Sequence, residues 1–356
     1  MSTTAKRTTK GRKAFMAATA VAAAAGAITL PVQGAAAAET GAPQACAIET
    51  LPIPEGLRFT FVTGMSDDGS VVAYRAYPAD HGYERYPLLY ADGEVTEVPI
   101  PGEDQQIADV NASGDGAGFT FLDGVVPYAW RDGALVELAA EDGGEANGIN
   151  ERGDIAGARG QYPQVPVVWP AGGEKPVDLP LPEGAGSGTA TDIGEDGTVV
   201  GYYEDAEGDF TPYAWDADGT GAHLPLPDGV DPATAHAYVS DLNGDWASGY
   251  LSAPGLDGVG VVWNLAEGTA EVTGLGGPVA VSAKGTAAGD AFPHAAYQDQ
   301  GGKPVELPGV WDPAENYFGD RADQISADGS VIAGNVYAGE DADGRHVLNA
   351  VVWDCD

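Results

Sequence analysis

Four aspartates occupy related positions along the chain. Asp109, Asp192 and Asp241 each immediately precede an apolar residue in the segments IADV, ATDI and VSDL, and Asp323 lies one position further back in ADQI. If these segments are equivalent strands, the four carboxylates crowd a common channel, where like charges raise one another's pKa or call for a cation. The structural alternative is that they accept hydrogen bonds from backbone amides of neighbouring units.

Other chemistry is weakly supported. Fragments of a calcium loop occur as SDDG at Ser66 and DADG at Asp216 and Asp341. Calcium is therefore the one cofactor left open, although tight-turn chemistry accounts for the same residues. The five histidines, His81, His223, His236, His294 and His346, are scattered without zinc-site spacing, so no metal ligands are assigned. A Gly-x-Ser-x-Gly nucleophile elbow is absent, and the carboxylates are too numerous to single out an acid/base pair. The residues best suited to contact a ligand are aromatic: Tyr83 and Tyr86 in YPADHGYERYP, and Trp311 and Tyr317 in PGVWDPAENYFGDRA.

The first 38 residues read as a signal peptide, with a basic start (MSTTAKRTTKGRK), an Ala-rich apolar stretch and a small-residue run at the end. Residues 39–356 are then the mature domain, secreted and with no membrane span after cleavage. The leader carries five of the 16 basic residues and none of the 54 acidic ones, which leaves eleven bases against 54 acids and a net charge of −43. Such a chain repels nucleic acid, whose binding needs clustered Lys and Arg. Cys46 and Cys355, near the two ends of the mature region, are the only cysteines, and an oxidising compartment pairs them.

One unit recurs seven times, anchored on Met65, Val110, Ile149, Ile193, Leu242, Val281 and Ile325 at spacings of a propeller blade. Each begins with a short apolar strand, a Gly-containing turn and a second strand, as in ANGINERGDIAG and ATDIGEDGTVVG. A third strand ends in an aromatic residue, as in YAW at Trp130 and Trp215 or VVW at Trp169, Trp263 and Trp353, and a fourth such as PVDLPLP follows. The seventh unit lacks its fourth strand, whereas CAIETLPIPEG at Cys46 supplies a surplus one. The sequence thus predicts an all-β, seven-bladed propeller of four-stranded antiparallel blades. Its N-terminal strand completes the last blade, and a Cys46–Cys355 disulfide lies beside that pairing.

The units INERGDIAG and IGEDGTVVG, followed by PYAW, resemble the HAF-repeat extracellular proteins, a set of secreted bacterial repeat proteins. The likeness spans roughly residues 60–356, although Tyr-Ala-Trp or Val-Val-Trp stands in place of His-Ala-Phe. It implies architecture and carries over no activity. Together these readings favour a monomeric, non-catalytic scaffold whose loops at one channel mouth bind a glycan, peptide or protein. The alternatives are a propeller hydrolase or lyase acting on an extracellular polysaccharide, and a calcium-stabilised cell-surface structural protein.

Overall fold

A computed structural model describes residues 46–79, 84–122 and 124–355. The proposed signal peptide, His81 and Tyr83 lie outside these described residues. Within them the chain is all-β, with one short 3-10 turn at Pro313–Glu315 and no α-helix.

The short strand β1 (Ala47–Thr50) is followed by a series of meanders. These are β2–β5 (Leu57–Met65, Val71–Pro78, Tyr86–Ala91, Glu94–Glu97), then β6–β9 (Glu103–Val110, Gly116–Phe121, Val125–Arg131, Ala134–Glu137). Next come β10–β13 (Gly144–Ile149, Ile155–Arg159, Val165–Trp169, Val177–Asp178) and β14–β17 (Ser187–Ile193, Val199–Glu204, Phe210–Trp215, Gly221–His223). The chain continues through β18–β21 (His236–Asn243, Trp246–Ala253, Leu256–Asn264, Thr269–Val281), β22–β24 (Ala287–Ala291, His294–Gln298, Val305–Glu306) and β25–β27 (Arg321–Ile325, Val331–Glu340, His346–Asp354).

These strands form six antiparallel sheets, five with four strands and one with seven. The seven repeats predicted seven sheets, and the difference has a local cause. Between units five and six the link is only TGLGG, without the Pro residues that follow the fourth strand in units one, three, four and six, and β21 runs on for 13 residues. Its first part pairs with β20 and its last part with β22, which joins the two meanders into β18–β24.

The displaced strand lies where the sequence places it. β1 pairs antiparallel with β27, Ala47 opposite Asp354 and Thr50 opposite Val351, and Cys46 is disulfide-bonded to Cys355 over 309 residues of chain. The first strands contact one another in sequence order, β2 with β6, β6 with β10, β10 with β14, β14 with β18 and β18 with β21. β21 then contacts β25, and β25 contacts β2.

Between sheets the core is built on the third-strand aromatics. Trp169, Trp215, Trp263 and Trp353 are fully buried. Each donates its indole N–H backwards to the preceding unit, to the carbonyls of Ala139, Pro180, Pro225 and Pro308. A large apolar face is thereby buried with its one polar group satisfied.

A bulge interrupts the first strand in six units, at Thr63, Ala108, Asn147, Thr191, Ser240 and Asp323, two residues before the anchor. A bulge bends its strand and re-aims the side chain that follows it. The glycine of the second strand belongs to the same device. A Cβ on Gly157 or Gly201 would overlap the carbonyl oxygen of Glu145 or Thr189 on the bulged strand.

Candidate functional site

In each meander the turns after the first and third strands fall at one end, and the second-strand hairpins and fourth-strand links at the other. The turn end opens into a cavity of about 380 Å³ whose lining includes Asp67, Asp109, Asp192, Asp241, Asn150 and Asn243. The bulge turns three of these aspartates across the gap between units. Asp109 accepts the amide of Val110 at 2.8 Å and that of Ile149 in the next unit at 2.9 Å. Asp192 likewise takes Ile193 at 2.7 Å and Leu242 at 2.8 Å, and Asp241 takes Val281 at 2.6 Å. In every case the acceptor reaches the anchor residue of the following unit. The aspartates are staples from one sheet or meander to the next.

Asp323 does not join them. One position earlier in its unit, it is the bulged residue itself, so it turns to Arg321 at 2.7 Å and accepts from Asn335. Asp67 and Asn243, which sequence reasoning did not single out, reach each other instead, Asn243 donating to Asp67 at 3.0 Å across 176 residues of sequence. Asn243 stands at a turn position that is Ser, Asn or Gly in the other units, whereas Asp67 has only Ala, Glu or Gly as its counterparts, so an Asp there is a departure within the repeat that the sequence does show.

The cavity acids are electrostatically strained. Burial pushes the Asp109 carboxyl up to about 8 against the pull of its two amides, with Asp67 and Asp241 adding repulsion. Burial, then Asp109 and Asp241, raise Asp192 well above the carboxylate range. Asp241 rises to about 7, mainly by burial, and Asp67 to about 6 by burial and by Glu151 and Glu195. Burial and mutual repulsion thus favour the protonated forms of these carboxyls, least so in Asp67.

The calcium-like fragments are tied up as turns. Asp68 accepts from the backbone and hydroxyl of Ser70, Asp218 from the amide of Thr220, and Asp341 from the amides of Asp343 and Arg345. Among the described residues no group of three or more His, Cys, Asp or Glu has a metal-holding arrangement.

The hairpin end is different in kind. The 308–320 link carries Trp311, Tyr317 and Phe318, which are 42%, 76% and 53% exposed, and Phe292 in the neighbouring β22–β23 hairpin is 66% exposed. The link is nevertheless held by a buried polar clamp. Asn316 donates to Asp320 at 2.8 Å, and Asp320 also accepts the amide of Tyr337 at 2.9 Å. The Asp320 amide donates to the Pro293 carbonyl, and the Gly319 amide to the Asn316 side chain. Asn316 and Asp320 are each about 95% buried, and the two residues between the clamp and Gly319 are exposed aromatics.

Trp311 lies edge-on to Tyr337 at 6.0 Å and over Gly339, where any side chain would collide with its ring. Phe318 packs on Tyr337 at 5.9 Å and on His346 at 4.5 Å. Trp311 and Tyr317 thus belong to one aromatic patch, which Phe292, Phe318, Tyr337 and His346 complete. Tyr86 is elsewhere, in an open groove with Glu84, Glu97 and Glu103, its hydroxyl on Glu84 at 3.1 Å. Phe318 adjoins Tyr317 and is legible as part of the same insertion, whereas Phe292 sits in a two-residue hairpin that gives no signal.

Comparison with known families and with curated proteins returns no match. Solved structures do match. The β-propeller domain of the Trilobed protease from Pyrococcus furiosus, described as having an open velcro topology, is 14% identical, with 84% of this chain and 95% of that one covered at a TM-score of 0.54. YCF48 from Cyanidioschyzon merolae is 9% identical over 86% of this chain and 98% of that one, with a TM-score of 0.49. The first likeness identifies the fold as that of the β-propellers, and at such identity it carries no function. The disulfide accords with an oxidising environment, and no helix among the described residues is long and apolar enough to cross a membrane.

Proposed function

We propose that the chain is a secreted, seven-bladed propeller that works as a non-catalytic binding scaffold, with the aromatic patch of its hairpin end as the contact surface. Seven blades are supported by the two four-stranded meanders that share β21, and ring closure by the pairing of β1 with β27 and the contact of β25 with β2.

The observation that carries the binding reading is the clamp of Asn316 and Asp320. A buried amide and carboxyl, whose burial is costly unless fully hydrogen-bonded, hold a link whose large apolar side chains face water. Exposed apolar patches of this kind mark interaction sites. Acid/base chemistry in the cavity is disfavoured because Asp109, Asp192 and Asp241 are each bound to a backbone amide of the following unit.

The test is retention of the full chain on an array of extracellular polysaccharides, peptides and proteins, compared with a Trp311→Ala/Tyr317→Ala variant. Retention of the parent on some ligand, lost in the variant, is expected. A variant that binds every captured ligand as the parent does would refute this surface.

A further inference from the structure

The chemistry around the aromatic patch points to one kind of ligand. The rings are bordered by carboxylates. Glu340 and Glu315 act on the Tyr337 hydroxyl, Glu340 lies 3.9 Å from His346, and Glu306 lies 3.6 Å from His294. The nearby guanidinium groups are engaged elsewhere, Arg345 with Asp343 and Asp341, and Arg58 with Asp341. The patch therefore offers ring faces and hydrogen-bond acceptors on a chain with a formal net charge of −38. Aromatic faces carry negative quadrupole density and attract cations, and nearby carboxylates add a separate coulombic attraction. An acidic ligand meets repulsion on every side.

We infer that the patch of Trp311, Tyr317, Phe318 and Phe292 receives a Lys- or Arg-bearing segment of a protein partner, the cationic side chain lying on the rings between Glu315 and Glu340. This rests on the binding reading above and assigns its ligand class. The overall negative field speeds encounter with a basic segment over long range, and the rings provide the local selectivity that a diffuse field lacks.

The experiment measures fluorescence anisotropy of a labelled hexalysine peptide with the full chain at 150 mM salt, beside labelled hexaglutamate and cellohexaose. Charge-preserving variants separate the patch from the general field: Tyr317→Ala, Phe318→Leu and Trp311→Leu, with Glu207→Gln on the β15–β16 hairpin as the control of altered charge. Hexalysine should bind and hexaglutamate should not. Each aromatic variant should weaken hexalysine binding about three- to ten-fold, the scale of a cation–π contact, with Glu207→Gln close to the parent. Tyr317 is the most exposed of these rings, so its variant tests the site without risk to the fold.

Absence of hexalysine binding, or binding indifferent to the aromatic variants and sensitive to Glu207→Gln, overturns the inference. Cellohexaose bound by the parent and lost in Trp311→Leu would keep the surface and discard the cation. Unchanged behaviour of every variant toward every probe would remove both.

Discussion

The two ends of the molecule use polar groups in opposite ways. At the turn end, carboxylates collect around a cavity, yet their oxygens are taken up by backbone amides of their own and the next unit. Even the rim is self-satisfied: Ala112 donates to Glu151 at 3.0 Å, Glu151 to Glu195 at 2.6 Å, and Asn150 to the Gly194 carbonyl at 3.1 Å. At the hairpin end, under the 308–320 link, the buried Asn316 and Asp320 instead hold aromatic rings in solvent. On the proposed reading, local concentration of charge is a poor guide to where this molecule meets others. What distinguishes a contact surface is side-chain capacity left uncommitted after the fold has formed.

The largest effect that sharpens this contrast concerns neither end but the pairing of β1 with β27. Without the Cys46–Cys355 bond, the N-terminal strand is held to β27 by the four-residue pairing of β1 and by the Leu51 amide on the Ala350 carbonyl. Cys46→Ser/Cys355→Ser should lower unfolding stability by about 5–6 kcal/mol on the loop-entropy model. Hydrogen exchange should show β1 and β27 losing protection first. Loss spread evenly over all sheets would count against the proposed closure at this junction.

Next in size is the turn end. Asp192→Ala leaves the Leu242 amide without its acceptor inside the fold, which should cost about 1–3 kcal/mol, with hexalysine binding unchanged. The pH dependence carries the same information. Asp109, Asp241 and Asp67, at about 8, 7 and 6, hold protons in the folded state that the unfolded chain releases above about pH 4. The native state binds more protons across that window, so their contribution is fully present below pH 4 and is lost as pH rises towards 8. Surface self-repulsion slopes the same way, but 1 M salt screens it to about 3 Å. Urea midpoints in 1 M NaCl should therefore still fall from pH 5 to pH 8 in the parent, and fall less in Asp192→Ala, which removes one of the raised carboxyls. A flat profile in the parent would show that the cavity acids stay ionised.

Much of this was legible in the sequence because repeats write the same physics seven times. The missing strand of unit seven, the surplus strand at Cys46 and the two cysteines form one pattern, and the β1–β27 register follows it. What was not legible depends on one-residue geometry. Nothing in ADQI against IADV says that the bulge falls on Asp323 and just before Asp109, so four channel acids became three staples and an Arg321 partner. Likewise TGLGG does not reveal that β21 continues through it and merges two meanders. Trp311 and Tyr317 were recognisable because irregular insertions break a repeat, whereas Phe292 and the Asn316–Asp320 clamp depend on contacts between elements.

The smallest expected effect is the one that most directly separates the two ends. Tyr317→Ala removes a ring that is 76% exposed and leaves the clamp beneath it intact, so unfolding stability should stay within about 0.5 kcal/mol of the parent. Binding should fall nonetheless. Asp192→Ala predicts the reverse, a destabilised scaffold with an unaltered surface. If Tyr317→Ala instead lowered the urea midpoint as much as Asp192→Ala does, the ring would be part of the packing, and the division between a self-satisfied end and a presenting end would not hold.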